Sequence, residues 1–239
     1  MPYFFYGFDW TYIYIVLPCF LLALLASARV NSTFRRYSKQ KSMRGITGSE
    51  AAMRVLRANG ISNVRIERVS GNLTDHYDPK ANVIRLSSEV YDNTSTAAIG
   101  VACHEAGHAV QYAQEYFPIK VRAAIIPLTN FGSRLAMPLI LLGILFSTFG
   151  NYSYTLVYLG IACFALSLVF QLVTLPVEFN ASRRAMQAIE NSQILTEEEQ
   201  LGAAKTLRAA AMTYVAAVAV AAAQLLRLIL LFGGRRRND

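Results

Sequence analysis

The chain has 239 residues, 54% of them hydrophobic, with a mean hydropathy of +0.32 and a formal net charge of +8. That apolar content exceeds what a soluble domain carries and falls in blocks, which excludes a wholly water-soluble protein. The Lys and Arg residues cluster beside those blocks instead of interleaving with aromatics, which argues against a nucleic-acid partner, and the three scattered cysteines, Cys19, Cys103 and Cys163, exclude a disulfide framework.

The first apolar block, from about Trp10 to Ala28, is long enough to span a bilayer, which takes about 20 residues. It lacks a basic n-region and starts with aromatics, so it reads as a retained anchor within residues 1–30. Tyr3, Phe4, Phe5, Tyr6 and Trp10 form an interfacial belt before it, and Arg29, Arg35, Arg36, Lys39, Lys41 and Arg44 follow it. The positive-inside bias then places the N-terminus outside and residue 30 onward in the cytoplasm.

Residues 45–122 read as a water-facing part. Thr47 and Glu50 make a capping box, and Gly60 is a stop for the helix that box begins. Val64 to Val69 alternates apolar and charged residues, as a half-buried strand does. In "LTDHYDPKANVIRLS", Leu73 to Ser87, Asp78-Pro79 and Asn82 supply turn chemistry between two strand-like runs, which predicts a β-hairpin. Asp75 and Asp78 read as turn and capping residues. Ser95 or Thr96 then caps a helix ending before Pro118.

Two apolar runs, about Leu135 to Phe149 and Tyr154 to Leu175, predict a membrane hairpin (134–175) joined by a loop at 151–154. The first is short for a span unless neighbouring residues extend it. A C-terminal helical part, 176–239, contains a last apolar run at about Ala209 to Phe232, with Arg227 inside it and Arg235 to Arg237 after it. A span there would export those arginines against the charge rule, so a helix partly buried against the others is favoured, with a span as the alternative.

The chemistry sits in "VACHEAGHAVQ", Val101 to Gln111. On a helix, His104 and His108 point the same way and can offer two imidazoles to one ion. Glu105 is placed to reach a water on that ion, as the general base of a metallopeptidase does. Small apolar neighbours such as Ala102, Ala106 and Ala109 predict a buried helix, where histidines need partners. Cys103 reads as a core residue. For a third ligand, one candidate is the remaining histidine, His76, and another is a carboxylate. Glu178, in "LPVEFNASRRA", supplies the carboxylate, and its other reading is a solvated helix-end residue. His76, Tyr77, Tyr112 and Tyr214 are candidates for a substrate or oxyanion donor, and the run Val83–Leu86 or its partner across the turn for a strand edge that pairs with an extended peptide.

"HEAGH" followed by "EFNASRRA" resembles the membrane-bound gluzincin metallopeptidases, the group that includes HtpX. With "LTDHYDP", "LSSEVY", "VACHEAGHAVQ" and "LPVEFNAS", the chain more closely resembles the YugP-like family of bacterial integral-membrane zinc metallopeptidases. The resemblance implies an α+β, mostly helical membrane protein, with a zincin-like catalytic part, a small β-hairpin or sheet and three to four transmembrane helices. It implies one zinc ion on His104, His108 and Glu178, Glu105 as base, and a protein or peptide substrate cut at the cytoplasmic face of the plasma membrane. The wider group has Asp four residues after the ligand Glu, and this chain has Ser182 there as the candidate support for a ligand histidine. The rival reading is an inactive membrane scaffold with a structural metal, which a closed four-ligand site would favour.

Overall fold

The computed structural model describes residues 9–71, 74–146 and 151–233. Tyr3, Phe4, Phe5 and Tyr6 of the aromatic belt, Leu73, and Arg235 to Arg237 lie outside them. The chain forms two compact units. One comprises Ala26–Val121 and Thr174–Thr213, and the other Met1–Leu25, Arg122–Val173 and Tyr214–Asp239. Four helices contribute segments to both: α1 (Leu17–Tyr37, entered through a π-helical turn, Tyr12–Val16), α5 (Phe117–Leu145), α6 (Asn151–Asn191) and α7 (Glu197–Phe232).

These four are long and apolar enough to cross a membrane, with most apolar windows of mean hydropathy 2.2, 1.5, 2.3 and 2.3 in chain order. Within the apolar unit, Leu22, Leu25, Phe131, Leu141, Leu145 and Leu230 are exposed, as lipid-facing side chains are. α5 begins at Phe117, well before the expected run, so the span is not short. Residues 151–154, expected as a loop, instead open α6, and 147–150 lie outside the described residues. α5 and α6 pack closely because Gly160 has no side chain: a Cβ there would lie 2.8 Å from the Ala136 carbonyl oxygen.

Residues 209–232 belong to α7, which is long and apolar enough to cross a membrane, the alternative reading of that run. The Arg227 guanidinium pairs with Asp9, its Nε donating to Oδ2 at 2.9 Å, and lies 5.5 Å above the Tyr12 ring. The Tyr158 hydroxyl donates to the Phe232 carbonyl at 3.2 Å. The start of the first span, the first turns of α6 and the last turns of α7 therefore meet at one end of this unit. The ion pair also explains how an apolar helix carries an arginine, which is costly in lipid unless partnered.

The second unit is built around α4 (Thr96–Ala113). Thr47 and Glu50 cap α2 (Gly48–Ala58) reciprocally, and Gly60, at φ +70°, follows its end. β1 (Arg65–Val69), β2 (His76–Asp78) and β3 (Val83–Ser87) form a sheet ordered β1-β3-β2. β2 and β3 make the expected antiparallel hairpin, while β1 adds in parallel to the far side of β3. β3 is thus paired on both sides, which removes Val83–Leu86 as an open edge and leaves its partner across the turn, β2, as the edge of the hairpin. A short α3 (Ser88–Tyr91) follows. Ser95 caps α4 by accepting the Ala98 N–H, and Leu56, Ile84, Leu86, Val90 and Ile99 lie in the core around it. The helix is apolar on nearly all sides because neighbours cover nearly all of it. α6 approaches where α4 has Gly107, whose absent Cβ would stand 2.8 Å from the Ala181 carbonyl oxygen.

Candidate metal centre

That close approach carries Glu178 to the two histidines. Glu178 Oε2 lies 3.3 Å from His104 Nε2 and 3.6 Å from His108 Nε2, with the carboxylate almost wholly buried. The rings stand edge to face, centroids 4.7 Å apart, and the three donor atoms lie within 4.8 Å of one another. A tetrahedral ion with bonds of about 2.1 Å holds its ligand atoms about 3.4 Å apart. The spacing therefore suits zinc and is long for a direct N–H···O bond.

The hydrogen bonds behind the rings make the same point. Gln111, fully buried three residues after His108, donates its amide to the Val177 carbonyl (2.8 Å) and to Asn180 Oδ1 (2.9 Å). Its carbonyl is thereby left to accept from His108 Nδ1 at 2.9 Å. A neutral His108 then carries its proton on Nδ1 and turns the Nε2 lone pair toward a carboxylate, an arrangement that a cation resolves. Burial disfavours charge on His108, yet the Glu178 carboxylate, with Glu105 and the Gln111 carbonyl, outweighs it and holds the pKa above the ordinary value. Metal affinity is consequently coupled to loss of that proton. The chain continues outward: Arg184 donates to Asn180 (2.7 Å) and Gln114 (2.6 Å). Ser182 Oγ lies 3.2 Å from His104 Nδ1, the position from which it supports the second ring.

Glu105 is buried but not among the three clustered donors. Its Oε2 accepts the Tyr77 N–H at 3.0 Å, so β2 presents its outer edge to this carboxylate. Asp75 anchors the same strand, accepting from Ser87 N (2.7 Å) and Ser87 Oγ (3.1 Å). Burial, with the nearby charge of Glu105, raises the Asp75 pKa against those two hydrogen bonds. Burial also pushes the Cys103 thiol up to about 12, which leaves it a packing residue.

The other sequence candidates separate. Tyr77 packs against Tyr112, centroids 5.6 Å apart, with its hydroxyl donating to Asn82. His76, adjacent on β2, points to the opposite face of the sheet. Its exposed ring meets the Thr74 carbonyl and Arg85, not the clustered donors, which removes it as the third ligand. Tyr214 lies on α7. Sequence reasoning missed Gln111 and Asn180. Gln111 was detectable, being one turn from His108 on the same helix face, whereas its bond to Asn180 required the α4–α6 packing. Gln111→Leu should weaken zinc binding about tenfold to hundredfold, as loss of a ligand's outer partner does, measured by competition with a chromogenic chelator; unchanged affinity would remove Gln111 from the centre.

Comparison with known proteins bears on the same residues. A family model described as "Putative neutral zinc metallopeptidase" matches residues 12–233. The chain is 44% identical over 228 residues to "Putative membrane protease YugP" of Bacillus subtilis strain 168, covering 95% of this chain and 99% of that one. No solved structure matches.

Proposed function

From the premise that this chain belongs to the neutral zinc metallopeptidase family, we propose that it is a membrane-embedded zinc endopeptidase that cuts membrane or membrane-associated proteins at the cytoplasmic face of the bacterial plasma membrane. The observation that carries the reading is the cluster of His104, His108 and Glu178, with Glu178 Oε2 3.3 and 3.6 Å from the two Nε2 atoms and Glu105 beside the cluster but outside it. Three protein donors are what a catalytic zinc takes, one position being kept for water.

The divalent ion, when held by these three side chains, supplies Lewis acidity that acidifies a water and polarises a peptide carbonyl. Glu105 accepts the proton of the attacking water and delivers it to the leaving amine. The Tyr77 N–H on Oε2 fixes the orientation of that carboxylate. Gln111 and Ser182 hold the Nδ1 sides of the rings, so both Nε2 atoms face one point. An extended substrate aligned along the outer edge of β2 would run over Glu105, which makes β2 the strand for peptide pairing. Tyr112 packs on Tyr77, whose N–H holds Glu105, which keeps both tyrosines among the candidate oxyanion donors.

The cytoplasmic assignment rests on charge. Arg29, Arg35, Arg36, Lys39, Lys41 and Arg44 belong to the same unit as the three ligands, so the side of the membrane that takes this basic run also takes the centre. The test is casein hydrolysis by the purified protein in detergent. Cleavage should stop on chelation and return with added zinc. A protein that binds zinc and cleaves no substrate in any metal state would be a scaffold instead.

A further inference from the structure

We propose that an anionic phospholipid of the surrounding bilayer occupies a groove between α6 and α7, with its phosphate on Arg183 and Arg208 and an acyl chain along Phe179, Met186, Leu207 and Met212. The groove is a cavity of about 420 Å³ lined by these residues and by Ser182. Its α6 wall is a stripe at helical spacing, 179, 182, 183 and 186, and its α7 wall follows the same rule at 204, 207, 208, 211 and 212.

Two features select the occupant. First, the lining is apolar except for Ser182 and the two arginines, both of them exposed. Among the described residues neither guanidinium has a carboxylate or hydrogen-bond partner, whereas neighbouring Arg184 is held by Asn180 and Gln114. Two unmatched cations over an apolar trough complement an anionic headgroup above a hydrocarbon tail. Second, both helices are candidate spans, and the groove sits where α6 passes from its apolar run into the charged segment beginning at Glu178. That is the level at which basic side chains meet lipid phosphates. A soluble anion would leave the trough unused. A substrate peptide would engage the Nε2 side of His104, while the groove lies on the Nδ1 side, behind Ser182.

The test is native mass spectrometry of the full chain in detergent, titrated with phosphatidylglycerol or phosphatidylcholine. Wild type should retain phosphatidylglycerol preferentially. The double variant R183A/R208A should bind it about thirtyfold more weakly, from the contribution of two basic residues near a lipid surface, with zinc content unchanged as the sign of an intact fold. Met212→Trp, which fills the trough and leaves both arginines, should exclude the lipid as well. Millimolar inorganic phosphate should not displace it. Equal binding of the two lipids by wild type, or undiminished phosphatidylglycerol binding by both variants, overturns the proposal. So does full displacement by inorganic phosphate, which would make the groove a plain anion site. A rise in KM for an apolar peptide with lipid binding intact would assign the groove to substrate. Lipid retention is read without hydrolysis, so its failure is distinguishable from failure of the peptidase reading.

Discussion

Purified Glu105→Gln protein should hold zinc at the wild-type stoichiometry and hydrolyse casein at least a hundredfold more slowly, with general-base contributions of about 10²–10⁴ setting the scale. The two halves of this result come from separate observations. Glu105 is outside the clustered donors, which are His104, His108 and Glu178, so replacing it leaves their geometry alone. Its carboxylate accepts the Tyr77 N–H, and a glutamine carbonyl can accept the same bond at the same length, so β2 stays in place. What the amide lacks is basicity. Retained zinc with lost hydrolysis would therefore isolate proton transfer from folding and metal binding. Undiminished cleavage by the mutant would remove Glu105 as the base.

Glu178→Ala should have the opposite signature, with zinc lost first and activity lost as a consequence. Two imidazoles remain, but the third donor and the only negative charge in the ligand set are gone, so affinity should fall by more than the tenfold to hundredfold that an outer partner costs. Zinc also stabilises any fold that it binds selectively, by about 2.7 kcal/mol at a hundredfold excess over Kd. Added zinc should accordingly raise the melting temperature of wild type and leave that of the variant nearly unmoved. Elemental analysis after gel filtration gives the direct reading, and full occupancy in Glu178→Ala would disqualify this residue as a ligand.

The two kinds of error at the sequence level have different causes. Short-range features came through well: the Thr47–Glu50 box, the β2–β3 hairpin and the Ser95 cap all depend on residues a few positions apart. The Arg227 problem did not, because its answer, Asp9, stands more than 200 residues away in the chain. That partner explains how α7 carries Arg227, while the charge-rule objection concerns Arg235 to Arg237, which lie outside the described residues. Of the two strands offered as a peptide-pairing edge, β3 is excluded for a related reason. Turn chemistry shows that two neighbouring runs pair as a hairpin, but the parallel partner β1 on the other side of β3 is a property of the whole sheet.

What the sequence determined by itself was the alignment of the two histidines in the short motif and the membrane class. Helical periodicity aligns His104 with His108 whatever surrounds them, and apolar length decides what lipid will accept. The resemblance already implied Glu178 and Ser182; only the tertiary structure decided how these distant groups, with Asn180, meet the α4 side chains. Gly107 lets the α6 backbone come against α4, and through that contact Glu178, Ser182 and Asn180 reach the two rings and Gln111. Periodicity acts along one helix, whereas a ligand set drawn from two helices depends on how closely their backbones pack.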